Sequence, residues 1–296
     1  MNNRRADYFL KSASRYFSDS ACPYCKSLSV DVIDRKYIFT RLFECNNCHL
    51  YFRHPKDEPG FNADFYQDDY TEYGITTNIP TGDLLEEYKK TNFKDSGQDS
   101  SDKVDTIRAL VGKKAFSEKP LKVIDYGASW GYISYQFRNA GFDVQSFEIS
   151  KSMAEKGNDL LGLSIKSEVS ELKPGNDIFF TSHVIEHLSD IGFLFKTAKQ
   201  LLSENSLFVS SCPNGSKGFR DEHPGNFRSS WGMVHPNLLS ADFFATVFKD
   251  NPYIITTNPY NHPDLFSKWD HYSQVVDCTS GEELLFVCAI NTTRAD

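Results

Sequence analysis

Long apolar runs are missing from this sequence of 296 residues. No uncharged apolar segment approaches the roughly 20 residues that cross a membrane as a helix, so we expect no membrane span. The first residues, MNNRRADYFLKSASRYF, lack the apolar centre and small-residue cleavage site of a secretory signal, so we expect a cytoplasmic protein. Internal repeats and low-complexity tracts are also missing. With 40% apolar residues, the chain can bury a substantial core in one large domain or two unequal ones.

The chain also has no excess of positive charge, because 32 Lys and Arg stand against 40 Asp and Glu, for a net charge of −8. Proteins that bind nucleic acid usually cluster Lys and Arg against the phosphates, so this balance argues against a nucleic-acid partner. Residues 1–60 alone carry 10 basic and 7 acidic side chains, which keeps a nucleic-acid function open for that segment.

A disulfide framework is not expected, because seven cysteines are an odd number and the cytoplasm is reducing. Four of them form two pairs, Cys22-Pro-Tyr-Cys25 and Cys45-Asn-Asn-Cys48, with 19 residues between the pairs. This spacing is typical of a zinc ribbon, in which four thiolates close a tetrahedral shell around a structural ion. A redox pair or a haem attachment site are the alternatives, but neither explains two pairs. We expect the isolated cysteines in the core: Cys212, Cys278 and Cys288.

From Leu121 onward, apolar strand patterns alternate with helical patterns. The predicted strands are LKVIDYG, DVQSFEIS, DIFFTSH, LFVSSCPN, YIITTN and ELLFVCAI, and the predicted helices between them are GYISYQFRNAG, KSMAEKGNDLL, IGFLFKTAKQLLSENS and LSADFFATVF. This alternation predicts an α/β fold with a mostly parallel sheet and helices on both faces. We divide the chain into an N-terminal helix and ribbon (1–60), a helical cover segment (61–118) and the α/β domain (119–296).

The stretch VIDYGASWGY, residues 123–132, joins the first of these strands to its helix. Gly127 allows a tight turn with positive φ, and Gly131 allows the helix to pack close to the strand. In such folds a ligand lies at the carboxyl ends of the strands beside this turn. Glu148 ends the second strand 23 residues after Asp125, where an acid that binds a ribose is expected. Alternatively, the turn only connects strand and helix.

These residues resemble the first motif of class I methyltransferases that use S-adenosylmethionine (SAM), acid-x-Gly-x-Gly-x-Gly, with Ser129 in place of the middle glycine. The resemblance extends over residues 121–210 and implies a Rossmann-like, seven-stranded SAM methyltransferase domain with SAM as cofactor. A nicotinamide enzyme is less well supported, because the spacing is not G-x-G-x-x-G. The residues that the resemblance implies around SAM are Asp125, Tyr126, Gly127, Ala128, Ser129, Gly131, Glu148, Ile149, Ser182 and His183, with the lid residues Tyr66 and Tyr73. These two tyrosines and Tyr70 alternatively pack between ribbon and core.

The order of zinc ribbon, tyrosine-rich segment and SAM domain resembles bacterial methyltransferases that act on sugars and surface-polysaccharide precursors. Sugar C-methyltransferases are the sharpest comparison, because WGMVHPNLLS, residues 231–240, matches a segment in which Glu-His precedes an aromatic-Ser pair. His235 matches the histidine, but Val234 replaces the glutamate. The resemblance therefore implies methylation of an oxygen of a sugar, nucleotide-sugar or glycan acceptor, rather than of a carbon.

Methyl transfer to a hydroxyl needs a base that removes the acceptor's proton, and histidine suits this task at neutral pH. The candidates are His183 and His187, which flank Glu186, and His235, which we predict to be the base, with Trp231 stacked on the sugar. The pattern HxxEH also resembles the Glu-x-x-Glu-His segment of ubiquinone-pathway O-methyltransferases, which binds magnesium. Alternatively, Glu186 and His187 only orient a loop. The downstream cations either bind an anionic substrate or are solvated: Lys217, Arg220 and Arg228.

Two other functions remain open. An RNA base methyltransferase of the large-subunit guanine type also joins a cysteine-rich finger to a SAM domain, but the acidic balance argues against it. A non-catalytic module would bind only a partner, but the histidines on the acceptor side argue against that. The sequence predicts neither the acceptor's identity nor the oligomeric state.

Overall fold

The computed structural model describes residues 14–56, 78–112, 119–232, 235–258 and 263–290. Tyr66, Tyr70 and Tyr73 lie outside the described residues, as does most of the predicted N-terminal helix. Within these ranges, no helix combines the length and apolar character that a membrane crossing needs.

The described strands are β1 (Val30–Lys36), β2 (Thr40–Cys45), β3 (Tyr51–His54), β4 (Lys122–Tyr126), β5 (Asp143–Phe147), β6 (Ile165–Lys166), β7 (Asn176–Ser182), β8 (Leu202–Pro213), β9 (Asn237–Leu238), β10 (Tyr253–Thr257), β11 (Gln274–Val276) and β12 (Glu283–Ile290). The described helices are α1 (Asp83–Lys90), α2 (Ser101–Val111), α3 (Tyr132–Asn139), α4 (Lys151–Leu161), α5 (Ile191–Leu201), α6 (Lys217–Glu222), α7 (Pro224–Ser229), α8 (Ala241–Val247) and α9 (Pro263–Lys268).

The larger sheet has eight strands in the order β11-β10-β12-β8-β7-β4-β5-β6. The strands from β4 to β8 pair in parallel, whereas β12 is antiparallel to both β8 and β10. The prediction of an α/β, Rossmann-like fold is therefore confirmed. The sheet has one strand more than the seven predicted, because the three-residue β11 pairs in parallel with β10 at the edge.

Helices cover both faces of this sheet because successive apolar side chains of its central strands point to opposite faces. Phe179 packs with α5 and α8 on one face, and the adjacent Phe180 packs with α2 and α3 on the other. Both rings are fully buried. The helix α2 lies in the segment predicted as a cover and packs directly on the sheet.

The smaller sheet is antiparallel, in the order β1-β2-β3-β9. Its fourth strand comes from the far end of the chain: Tyr51 pairs with Leu238 and Phe52 with Asn237. The backbone N–H of Arg53 also donates to the Pro236 carbonyl at 2.7 Å. The cysteine region is therefore joined by backbone hydrogen bonds to the segment that carries His235.

The stretch from residue 212 to 231, for which the sequence predicts no helix, contains α6 and α7. Each helix has six residues, which is too short to show a helical period in the sequence. Pro224 begins α7 at a position where its missing N–H costs no hydrogen bond.

Candidate active site

The loop after β4 has the backbone that its glycines predict. Gly127 has a φ of +88° and Gly131 a φ of +86°, and Ser129 between them also has a positive φ of +52°. The N–H groups of Gly127 and Ala128 both donate to the Phe147 carbonyl at 2.8 Å. A Cβ at Gly127 would lie 2.2 Å from Val184 Cγ2, so this position requires glycine for both conformation and space.

Glu148 follows β5 and binds this loop. Its Oε2 accepts from the Ser129 N–H at 2.8 Å, and its Oε1 accepts from the Ser150 N–H at 2.9 Å. The residue is only 5% exposed, and burial raises the pKa of its carboxyl group, although the backbone hydrogen bonds oppose this. Each carboxylate oxygen keeps further acceptor capacity.

Asp125 faces the interior instead. Its Oδ2 accepts from Ser134 Oγ at 2.6 Å, and Ser146 Oγ donates to Ser134 Oγ at 2.7 Å. Burial raises the pKa of Asp125 to about 6. This carboxyl group therefore connects β4, β5 and α3.

The other residues predicted around the cofactor differ in exposure. The ring of Tyr126 is buried and lies 4.7 Å from that of Phe147, whereas Ile149 is 43% exposed. Ala128 is buried in the loop, and Ser182 is half-buried at the end of β7.

The segment after β7 brings His183, Glu186 and His187 together, but not on one helical face. His183 has a φ of +53°, and a single 3₁₀ turn spans Ile185–His187. Glu186 Oε1 lies 3.4 Å from His183 Nδ1 and 3.6 Å from His187 Nε2. Asn237 fixes this turn, because its Nδ2 donates to the Leu188 carbonyl at 2.7 Å.

His235 joins this group from the loop that precedes β9. Its ring centroid lies 4.7 Å from that of His187. His235 Nδ1 lies 2.8 Å from the Ser230 carbonyl oxygen, which can only accept. The proton is therefore on Nδ1, and Nε2 of a neutral ring carries the lone pair.

Two charged residues of this site, Glu283 and Lys103, belong to no sequence motif, so the sequence did not predict them. Glu283 Oε1 lies 3.3 Å from His183 Nε2 and 3.1 Å from Lys103 Nζ, and it accepts a hydrogen bond from Ser211 Oγ. Burial raises the pKa of Glu283, but His183 and Lys103 outweigh it and bring the value to about 2. For His183, burial has the opposite sign and lowers the pKa, but Glu186 and Glu283 outweigh it and raise the pKa to about 9. Solvent reaches the half-exposed His183 ring and screens part of this effect.

A cavity of about 640 Å³ opens beside His183, at the carboxyl end of β8. Its wall is mostly hydrogen-bonding side chains and is formed by His183, Pro213, Phe219, Asn226, Ser229, Ser230, Asn258, Glu282 and Glu283. Phe219, Asn226 and Ser229 come from α6 and α7, Asn258 follows β10, and Glu282 and Glu283 lie at the start of β12. The sequence did not indicate these positions.

The aromatic and cationic groups predicted near the acceptor are already engaged. Trp231 is only 2% exposed, its Nε1 donates to Asp34 Oδ2 at 3.2 Å, and Lys36 Nζ lies 4.4 Å from its ring centroid. The prediction that Trp231 stacks on a sugar is therefore wrong, because the β1–β2 hairpin covers it. The three predicted cations form ion pairs within the protein: Lys217 and Arg220 with Asp221, and Arg228 with Asp34.

The four paired cysteines form a second cluster. Cys22 Sγ lies 3.6 Å from Cys48 Sγ, and Cys25 Sγ lies 3.4 Å from Cys45 Sγ. All four sulfurs lie within 4.8 Å of one another. Four sulfurs around zinc at about 2.3 Å are separated by about 3.8 Å, so the cluster fits a tetrahedral zinc shell.

Comparison with known proteins identifies the family. Residues 98–257, more than half of the chain, match the family model described as a methyltransferase domain. The chain belongs to this methyltransferase family. The match begins inside the segment that we predicted as a helical cover. A search of curated proteins finds no relative of this methyltransferase.

Solved structures of methyltransferases are similar to this chain, and the first one named here shows the same fold. The plantazolicin methyltransferase BpumL in complex with SAH is 14% identical with a TM-score of 0.51, over 78% of this chain and 94% of that chain. The magnesium protoporphyrin IX methyltransferase ChlM from Synechocystis PCC 6803 with bound SAM is 13% identical with a TM-score of 0.47, over 80% of this chain and 98% of that chain. The family match confirms the predicted enzyme class, a SAM-dependent methyltransferase.

Proposed function

We propose that this methyltransferase transfers the methyl group of SAM to a hydroxyl group of a sugar or glycan precursor. The observation that carries the proposal is the cavity of about 640 Å³ beside His183, whose wall presents hydroxyl, amide and carboxylate groups together with the apolar Pro213 and Phe219. A hydroxyl-rich acceptor can satisfy such groups by hydrogen bonds, whereas an apolar acceptor would leave them unpaired.

SAM is placed by this proposal at the loop from Gly127 to Gly131, at the carboxyl end of β4. Doubly wound sheets bind nucleotide-like ligands at this position. Glu148 would accept hydrogen bonds from the ribose hydroxyls, since each of its oxygens already accepts one backbone N–H and has capacity left. Asp125 would stabilise the loop from below without touching SAM.

The charges around the cavity favour a neutral sugar over an anionic one. The described residues that line the cavity include Glu282 and Glu283 but no Lys or Arg. The nearby cations Lys217 and Arg228 already form ion pairs with Asp221 and Asp34. A phosphate group would therefore meet two carboxylates, while protonated His183 in the described wall is already paired with Glu186 and Glu283. Nucleic acid is disfavoured for the same reason.

The catalytic base in this proposal is His235. Its Nδ1 is held by the Ser230 carbonyl, which leaves the lone pair on Nε2, and Ser230 itself lines the cavity in which this proposal places the acceptor. His183 is a weaker candidate, because a pKa of about 9 keeps it protonated at neutral pH. Its two ring nitrogens face Glu186 and Glu283, so His183 would instead hold the cavity wall in place beside the acceptor.

We also propose that Cys22, Cys25, Cys45 and Cys48 hold one structural zinc ion. The support is the fit of their sulfur separations to a tetrahedral shell. Four thiolates leave no open coordination position, so this ion would stabilise the ribbon and take no part in methyl transfer.

Incubation of the full-length protein with methyl-labelled SAM and separate acceptor pools tests the function. We expect label in a neutral glycan fraction and none in RNA. Label in RNA would support the RNA base methyltransferase instead. If the protein binds SAM but labels no pool, the non-catalytic alternative gains support.

A further inference from the structure

Glu186 is a buried carboxylate for which the described protein supplies no hydrogen bond. Its side chain is completely buried, and neither Oε1 nor Oε2 accepts a hydrogen bond from a described residue. The ring nitrogens of His183 and His187 lie within ion-pair distance, at 3.4 and 3.6 Å. Buried carboxylates are normally hydrogen-bonded, paired with a cation or bound to a metal ion.

His187 and His235 lie beside this carboxylate, so the three side chains together offer three metal ligands. A carboxylate oxygen of Glu186 and one ring nitrogen of each histidine lie within 4.8 Å of one another. The two chain segments are fixed relative to each other by the hydrogen bond from Asn237 to the Leu188 carbonyl. The hydrogen bond from His235 Nδ1 to the Ser230 carbonyl resembles those that fix the tautomer of metal-binding histidines.

We propose that Glu186, His187 and His235 bind one divalent transition-metal ion, such as zinc, iron(II) or cobalt(II). Two imidazoles and one carboxylate suit these ions, whereas magnesium prefers a shell of oxygens. Ligands about 2.1 Å from one ion are separated by about 3.0 to 3.4 Å, so a small rotation of the side chains completes the site. Three protein ligands leave an open position for an acceptor oxygen or water.

This ion is separate from the one that we assign to the four cysteines, and the site lies close to His183, which lines the acceptor cavity. The inference rests on the proposed methyl transfer but replaces its base, because the ion and not His235 would then activate the acceptor hydroxyl. A metal-bound Nε2 of His235 has no lone pair for a proton, and the ion would instead lower the pKa of a coordinated hydroxyl. Metal binding can be measured without any methyl transfer, so failure of one proposal is distinguishable from failure of the other.

Cobalt(II) titration of the full-length, metal-depleted protein tests the site, because the spectrum of cobalt bound to thiolates differs from that of cobalt bound to nitrogen and oxygen. We expect the parent to show both signals, with one equivalent each. Glu186→Gln and His235→Ala should each keep the thiolate signal and weaken binding at the second site by at least about 100-fold, more than loss of an outer partner usually costs. Millimolar magnesium should not compete.

His223→Ala is the matched control, because His223 is exposed on the surface between α6 and α7. It should keep both signals. A parent protein without the nitrogen-and-oxygen signal would overturn the proposal, and so would Glu186→Gln and His235→Ala variants that both retain it. Glu186→Gln preserves the shape of the side chain, so at least one variant should remain folded, as thermal unfolding would verify.

Discussion

The cysteine ribbon and the carboxyl edge of the large sheet both gather candidate ligands, but over very different distances along the chain. In the ribbon, each cysteine pair is closed by its own turn: Lys26 N–H donates to the Cys22 carbonyl at 3.0 Å, and His49 N–H donates to the Cys45 carbonyl at 2.8 Å. At the sheet edge, Glu186, His235 and Glu283 come from three separate segments. A site built from local turns is visible in residue spacing, whereas a site assembled by topology is not.

The two regions are nevertheless mechanically connected. The ribbon strand β3 pairs with β9, and Arg53 N–H binds the carbonyl of Pro236, the neighbour of His235. Ser240 Oγ also donates to the His49 carbonyl at 3.2 Å. Damage to the ribbon should therefore reach the histidine cluster, whereas damage to the cluster should leave the ribbon intact.

The largest expected effect is that of Cys45→Ser. Binding of structural zinc is worth about 10 to 16 kcal/mol in small zinc fingers, and loss of one thiolate should lower the free energy of unfolding by roughly 5 kcal/mol. Cys278→Ser is the control, because that half-buried cysteine lies outside the cluster and should change stability little. Denaturant unfolding and zinc analysis would measure both, and an unchanged zinc content in Cys45→Ser would contradict the ribbon assignment.

His235→Ala tests the sheet edge alone. Because a general base contributes about 10²- to 10⁴-fold, turnover should fall by that factor while SAM affinity and the zinc held by the four cysteines stay unchanged. His223→Ala should keep full turnover. Glu186→Gln separates the two roles of His235: it should abolish turnover if the cluster works through a metal ion, and reduce it only modestly if His235 is simply a base. Full activity of His235→Ala would eliminate both roles.

Asp125→Asn tests how the buried carboxyl group below the glycine loop makes the free energy of unfolding depend on pH. The pKa of Asp125 is raised to about 6, so between pH 4 and 6 the folded state binds more protons than the unfolded state. Stability contributed by this group therefore falls as the pH rises through that window. Asn keeps an acceptor for Ser134 without the charge, so the variant should gain about 3 kcal/mol relative to the parent between pH 4 and 7, at about 1.4 kcal/mol per pKa unit. Urea unfolding at several pH values would show this, and a constant difference would refute it.

The smallest expected effect is the difference in stability between two variants, Gly127→Ala and Gly141→Ala. Both Gly127 and Gly141 have positive φ, but a Cβ at Gly141 would meet nothing within 4 Å, whereas one at Gly127 would meet Val184. Gly141→Ala should cost only about 1 kcal/mol of backbone strain. Gly127→Ala should cost a further 1 to 3 kcal/mol, roughly that of overpacking, and should weaken SAM binding. Equal stability and SAM affinity in the two variants would show that the loop is not a constrained site.

The sequence predicted the helices and strands that are long enough to show a regular spacing of apolar residues. The buried strands β4, β7 and β8 and the helices α3 to α5 are long enough to show it, and the Cys and Glu148 positions follow fixed spacings. By contrast, β9 and β11 have two and three residues and exist only because neighbouring strands pair with them.

The errors at the site have the same origin. Trp231 resembled an exposed aromatic residue because the β1–β2 hairpin that covers it lies almost 200 positions upstream. Glu283 was missed because β12 folds back antiparallel to β8, which places its first residue opposite Pro213 and beside His183. No local signal in the sequence encodes either contact.

Calorimetric titration with SAM tests the central claim most directly, that the cofactor lies on the glycine loop with Glu148 as its ribose acceptor. The parent should bind one equivalent of SAM or its demethylated product. Glu148→Ala should weaken binding by about 10- to 100-fold, as expected for loss of charge-assisted hydrogen bonds, while the exposed Glu155→Ala should bind like the parent. If the folded parent binds no SAM, or if Glu148→Ala binds it as tightly as the parent, the claim is contradicted.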